Sequence, residues 1–261
     1  MSQKPINKIT LIGDLCKDVF IYGKSDRLSP EAPVPIFEEI HRVENWGMAG
    51  NVLANLQSLC NNDTNLFTIK SYLSPTYETK IRYVDDKSNH IFLRVDEKKE
   101  REYNFQMTFE LQEDIKTSDI VIISDYDKNF LSLFDILEIT SLKSNSCKII
   151  IDTKKKIKDK HFFNRIDYVK MNAKEFDQNK GMIDESNQSK FIITLGERGT
   201  KYNDEVFHVE QKQTIDVSGA GDTFLASLGF YLSKGESIEN SIIFANKMAS
   251  LVVTKRGVTI I

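Results

Sequence analysis

Long apolar runs are missing from this 261-residue chain. None approaches the ~20 residues needed to cross a bilayer, and the opening MSQKPINKITLIGD passes straight into a strand-like stretch with no signal-peptide core. Cysteine is scarce. Cys16, Cys60 and Cys147 lie far apart without CxxC or CxxH spacing, which argues against a disulfide framework or a zinc site and fits free thiols in a reducing compartment. A basic excess is also lacking. With 35 Lys and Arg against 38 Asp and Glu, the net charge is −3, and a general nucleic-acid binder would show the opposite bias. The four histidines, His41, His90, His161 and His208, share no metal-ligand spacing and stand near no Ser or Cys motif, so zinc and His-triad chemistries are not expected. Five prolines and 12 glycines mark no linker, and there is no internal repeat. The expectation is a cytoplasmic protein with neither nucleic-acid nor membrane partners.

What is present is an alternation of short β-branched runs with longer amphipathic segments. That pattern predicts an α/β fold with a mostly parallel sheet covered by helices. Strands are expected at Ile9–Gly13, Asn65–Ile69, Ile120–Ser124, Lys148–Asp152, Tyr168–Met171 and Phe191–Leu195, and helices at Ala49–Cys60, Phe130–Lys143, Ala173–Asn179, Ala220–Ser233 and Ser237–Thr254. Several strands are continuously apolar, as strands buried on both faces must be. Val34–Ile40 and Thr79–Asp96 instead alternate around a polar turn and read as antiparallel. They predict a small β lid, with lid segments near 15–45 and 79–96 of a single domain spanning 1–261. The basic run at 154–158 reads as a solvated face.

The most informative segment is Asp216-Val-Ser-Gly-Ala-Gly-Asp-Thr-Phe224, which opens an amphipathic helix. Small residues let backbone N–H groups approach an anion, and the helix start adds unpaired N–H groups and the positive end of its dipole. Negative charge developing on a transferred phosphoryl group would be stabilised there. Asp222 falls in the first helical turn, where a carboxylate can take the proton of an attacking hydroxyl. The dipole is expected to keep it ionised. A glycine turn with a capping Asp would account for a bare GxGD, but the nine-residue string is far more specific. Carboxylates and amides, the groups that can meet several hydroxyls at once, also gather in the N-terminal part of the chain. Asp14 and Asp18 follow the first strand, and Trp46-Gly-Met-Ala-Gly-Asn51 leads into a helix. Each alone is weak. Between them, Ser29-Pro-Glu-Ala-Pro-Val-Pro35 fixes an extended path.

The C-terminal string resembles the signature of the ribokinase-like (PfkB) carbohydrate kinases. Ser29–Pro35, with Gly13-Asp14 before it and Gly47-x-x-x-Asn51 after it, resembles the heptose 7-phosphate kinases within that family. Ser124-Asp-Tyr-Asp-Lys128, Ile151-Asp-Thr-Lys154, Asn172-Ala-Lys-Glu175 and Phe244–Gly257 extend the resemblance over nearly the whole chain. It implies a three-layer fold with a lid, and ATP-dependent transfer to a sugar hydroxyl, the anomeric one of heptose 7-phosphate. A different sugar acceptor, or a non-catalytic sensor with this fold, are the alternatives.

By the same resemblance Gly219, Ala220 and Gly221 line an anion hole and Asp222 is the base. Asp14, Gly47 and Asn51 hold the sugar, with Asp18 and Lys128 as additions. Asn172 and Glu175 organise Mg²⁺ (through water) and the ATP phosphates, while Thr194, Gly196, Gly199 and Asn246 border the nucleotide. Pairing of two copies through the lid is expected as well. Departures are Met48 and Asn129 where that family has Gly, Ser227 where it prefers Ala or Gly, and a short stretch after Asn65 that lacks one strand–helix unit.

Overall fold

The computed structural model describes residues 7–61, 66–98, 103–210 and 212–261. Two sheets organise them. The larger has eight strands in the order β12-β11-β10-β9-β8-β7-β1-β4. Six of these, β1 (Asn7–Gly13), β4 (Phe67–Leu73), β7 (Ile120–Asp125), β8 (Lys148–Thr153), β9 (Tyr168–Asn172) and β10 (Phe191–Thr194), run parallel. The short β11 (Thr200–Tyr202) and β12 (Glu205–Phe207) complete one edge antiparallel.

The period of two along the strands feeds two separate cores. Ile9, Leu11, Ile120, Ile122 and Ile150 pack with α1 (Ala49–Asn61), α5 (Ala220–Ser233) and α6 (Ile238–Val252). Ile12, Val121, Ile123, Ile149 and Ile151 pack on the other face with α2 (Phe109–Thr117) and α3 (Leu133–Leu142). Helices on both faces explain why these strands are apolar throughout. The α/β fold with a mostly parallel sheet covered by helices, expected from the sequence, is what forms.

The second sheet, β3-β2-β5-β6, is the lid. β2 (Leu15–Leu28) pairs antiparallel with β3 (Pro35–Met48) and parallel with β5 (Glu78–Asp85), which forms a hairpin with β6 (Ile91–Glu97). Only Asp14 separates β1 from β2, and β3 passes directly into α1. Met48 makes that junction with φ 58 while buried, and Asn129 has φ 65. Both sit in the left-handed region that favours glycine, the residue that the resemblance leads one to expect at these two places.

Several boundaries differ from expectation. β4 extends to Leu73, and Asn65 lies outside the described residues. α3 starts at Leu133 because Ser132 caps it in a box with Asp135. Ser237 caps α6 rather than belonging to it. The predicted Val34–Ile40 strand is the start of a β3 twice that reach, β2 falls inside the expected lid segment 15–45 without having been read as a strand, and α2, β11 and β12 were not read at all. Where a strand–helix unit is missing, β4 turns through residues 74–77 directly into β5 and stays at the sheet edge.

Candidate active site

β1 lies between β4 on one side and β7 on the other, so the chain direction of winding reverses between β1 and β7. In parallel α/β sheets, ligands bind beyond the strand ends at such a reversal. The ends of β1, β7, β8 and β9 deliver Asp14, Tyr126, Lys154 and Asn172 to that crevice, and the start of α5 meets them.

Asp216 shapes the loop before α5. Its carboxylate accepts from the N–H of Ser218 at 2.8 Å and of Gly257 at 3.1 Å. Gly219 then turns the chain with φ 81, and a Cβ there would come within 2.6 Å of the Asn51 side-chain nitrogen. Ala220 N–H closes the turn on the Val217 carbonyl at 3.3 Å. Among the described residues, no protein acceptor takes the N–H groups of Gly219, Gly221 and Asp222. These three N–H groups leave a hole that could receive an anion, while Ala220, expected among them, has its N–H turned to the Val217 carbonyl.

Asp222 is buried. Its Oδ1 accepts from the Tyr126 hydroxyl at 2.7 Å and its Oδ2 from Asn51 Nδ2 at 3.3 Å. Burial pushes its carboxyl up to about 6, against the opposing pull of Tyr126, Lys170 and Asn51. Loss of water thus outweighs these favourable partners, yet the group is still mostly ionised at neutral pH, as expected, and is a far better proton acceptor than an exposed Asp.

A chain of charges runs behind the hole. A Cβ on Gly221 would lie 3.1 Å from Lys170 Nζ, so the glycine clears space for that ammonium. Lys170 donates to Asp152 at 2.5 Å, Lys154 to the other Asp152 oxygen at 3.0 Å, and Lys154 again to Glu175 at 2.7 Å. Burial alone would raise the Asp152 carboxyl, but the two ammonium ions hold it below its ordinary value. Glu175 and Asn172 form a reciprocal capping box at the start of α4 (Ala173–Asn179). Lys155 pairs with Asp125 and Asp127. The solvated-face reading of the basic run thus holds for Lys156 and Lys158, which are exposed, and not for Lys154 and Lys155.

Beyond β1, Asp14 Oδ2 accepts from Tyr126 N–H at 2.7 Å and Lys128 N–H at 3.4 Å. Lys128 and Lys80 both pair with the buried Glu78. Gly47 has no room for a side chain, since a Cβ would fall 2.0 Å from Asp18 Oδ2. Asp18 lies on a lid strand in a buried ion pair with Arg82 at 2.5 Å. Asn51 is fully engaged: Nδ2 donates to Asp222 and to the Gly219 carbonyl, and Oδ1 accepts from Asn55.

Next to β9, Thr194 pairs in register with Asn172, and Gly196 and Gly199, both expected to border a nucleotide, turn β10 into β11. Asn246 is set apart. It accepts from Thr200 and donates to the Phe207 carbonyl, so its amide ties α6 to that edge. Tyr126, Lys80, Lys154 and Lys170 were not singled out from sequence, because only the fold brings these separated residues together.

The donor set fits Mg²⁺ held through its water shell and phosphate oxygens. Glu175 retains unused lone pairs beside Lys154, while among the described residues no group of three His, Cys, Asp or Glu could hold a metal directly. A cavity of about 510 Å³ between Lys143, Lys148, Arg165 and Lys190 lies at the opposite end of the strands. A smaller one of about 320 Å³ borders Asn51 and Trp46. Among the described residues, no helix is long and apolar enough to cross a membrane.

Residues 76–261 match the family model for pfkB family carbohydrate kinases. The bifunctional protein HldE of Campylobacter curvus is 30% identical over 96% of this chain and 62% of its own length. That of Helicobacter pylori strain J99 is 31% identical over 97% and 64%. The chain thus spans less than two thirds of these relatives. In fold it is similar to Arabidopsis thaliana ribokinase complexed with ribose and ATP, with TM-score 0.66 and 15% identity over 97% of this chain and 94% of that one. Thermotoga maritima ribokinase gives 0.62 at 19% identity, covering 97% and 95%.

Proposed function

Since the chain belongs to the PfkB family of carbohydrate kinases, phosphotransferases with an alcohol group as acceptor, we propose that it moves the γ-phosphoryl group of ATP to the anomeric hydroxyl of D-glycero-D-manno-heptose 7-phosphate. The product would be the 1,7-bisphosphate, a precursor for nucleotide-activated heptose in lipopolysaccharide or capsule. The observation that carries the kinase chemistry is Asp222, a buried carboxylate with its carboxyl near 6, one residue past an open glycine turn. The acceptor assignment is supported by the 30–31% identity to the HldE proteins and by Lys80 and Lys128, cations suited to a sugar bearing its own phosphate.

In this reading Asp14 and Lys128 face the sugar, and Asn51 holds Asp222 and the Gly219 carbonyl in place. Asp222 accepts the hydroxyl proton as the oxygen attacks. The N–H groups of Gly219, Gly221 and Asp222, with Lys170 behind them, meet charge on the transferred group. Mg²⁺, held by Glu175 through water, would neutralise phosphate charge. Two copies would pair through the outer face of the lid, where Leu93 and Val95 extend the apolar row Ile21, Ile81 and Tyr83 and stand 56% and 37% exposed.

ATP consumption against a panel of phosphosugars and free sugars, with both anomers of the 7-phosphoheptose, tests the acceptor. Turnover with ribose, fructose 6-phosphate or a nucleoside and none with the heptose phosphate would refute it. Met48, bulky where the family has glycine, favours that outcome as the second reading.

A further inference from the structure

Tyr126 follows β7 and joins the two halves of the site. Its backbone N–H donates to Asp14 and its hydroxyl to Asp222, each at 2.7 Å. Lys154 Nζ stands 5.1 Å from the ring centroid and Lys80 Nζ 5.9 Å. Burial, reinforced by the charge of Asp222, pushes the phenol well above its ordinary range, so it remains a donor at any working pH.

The two donors on Asp222 are held very differently. Asn51 cannot turn away, because its NH₂ group is shared with the Gly219 carbonyl and its oxygen accepts from Asn55 at 3.0 Å. Asn55 is itself fixed by the Asn51 carbonyl and by Ile261 N–H. The Tyr126 hydroxyl, by contrast, has Asp222 as its hydrogen-bond partner. An acceptor must place an O–H on that carboxylate before its proton can leave. The phenol O–H stands in that position.

We propose that the Tyr126 hydroxyl is a placeholder for the acceptor: it occupies Asp222 while the sugar site is empty, keeps water off the base, and yields to the sugar hydroxyl. Tyr126 would then set the selectivity for sugar over water. This inference rests on Asp222 being the base. Water gains little by displacing the phenol, because one O–H···carboxylate bond replaces another and the buried phenol is left unpaired. A sugar brings several further hydroxyls, whose bonds to groups such as Asp14 offset that loss. The reaction being suppressed is hydrolysis. Water oxygen bonds to the γ-phosphorus, the bond to the β,γ-bridging oxygen breaks, ADP leaves with that electron pair, and the water proton passes to Asp222 and on to solvent.

Tyr126→Phe removes the hydroxyl and keeps the ring. Phosphate release from ATP without sugar should rise about 10- to 100-fold, the range that a hydrogen bond to a charged group is worth. Adding Asp222→Asn to that variant should return release to background. Wild-type hydrolysis in a folded Tyr126→Phe protein would overturn the proposal, as would a rise that survives Asp222→Asn. Full sugar phosphorylation by Asp222→Asn alone would instead remove the base reading, a separate outcome. Should Tyr126→Phe not fold, the wild-type enzyme decides. A 1-deoxy analogue of the 7-phosphoheptose leaves the phenol in place and should not stimulate hydrolysis; stimulation would overturn the proposal.

Discussion

The ammonium of Lys170 stands 2.5 Å from the carboxylate of Asp152, both nearly sealed from solvent, directly behind Gly221. Breaking a buried pair usually costs about 3–5 kcal/mol, but Asp152 keeps Lys154 as a second partner. Lys170→Met should therefore cost less, roughly 1–3 kcal/mol by denaturant titration. It should lower kcat at least about tenfold with the sugar KM little changed, and Lys170→Arg should restore part of the rate. Equal loss in both variants would leave Lys170 a structural role only.

Asp222→Asn should lower kcat by about 10²–10⁴. In the wild type, the rate should climb as pH rises through about 6, where the base loses its proton. Stability should run the other way. The folded carboxyl lies above its ordinary 3.8, so the folded state binds the proton more tightly and this group's contribution is lost as pH rises from about 4 through about 6. Holding the charge buried costs on the order of 2–3 kcal/mol. Melting curves from pH 4 to 7 should therefore fall less steeply for Asp222→Asn than for wild type. Parallel curves would contradict the assignment of the charge.

Ser227 carries a buried hydroxyl with no partner among the described residues. Replacing it with Ala removes an unmet hydrogen-bonding group at almost no change in volume. Ser227→Ala should stabilise by about 1 kcal/mol, seen as a melting point about 2 °C higher.

Glu175→Gln keeps the α4 cap, because an amide oxygen can still accept from Asn172 N–H. It removes the negative charge beside Lys154. The Mg²⁺ concentration for half-maximal rate should rise several-fold with the melting point nearly constant. An unshifted Mg²⁺ titration excludes Glu175 from the metal's surroundings.

Leu93 is an outward lid residue, 56% exposed. A charge there costs little in a monomer and much in an apolar interface. Leu93→Glu should convert dimer to monomer in light scattering at micromolar concentration. A wild type that is already monomeric would remove the pairing proposal.

Much of the fold was legible because local chemistry and burial agree. α4 and α5 keep their expected limits, one capped by Asn172 and the other begun at Gly219, and the central strands are apolar on both faces. β2 was legible only as part of a lid segment, not as a strand, because it interleaves Lys17, Asp18, Lys24 and Asp26 with apolar residues, and the charge partner of Asp18 is Arg82 across the sheet. α2 leaves Phe109 77% exposed, which blurs its apolar stripe. At the site, Asp14, Asn51, Lys128 and Asp222 do converge. Lys154 looked like surface because its carboxylate partner Glu175 is remote in sequence, and the raised carboxyl of Asp222 reflects burial that no local pattern encodes.

β2 and β5 run parallel, with Cys16 opposite Glu78, so no tight turn can join them. The chain between them contains β3, α1 and β4. Pairing β1 with β7 closes a longer loop still, since Ile9 lies opposite Ile120 and the whole lid falls between them. The entropy of closure therefore favours the lid pairing over the seam at the centre of the large sheet. In pulse-labelled refolding, amides of β2 and β5 should gain protection no later than those of β7, making the β1–β7 seam, and with it the site beyond those strand ends, the late step.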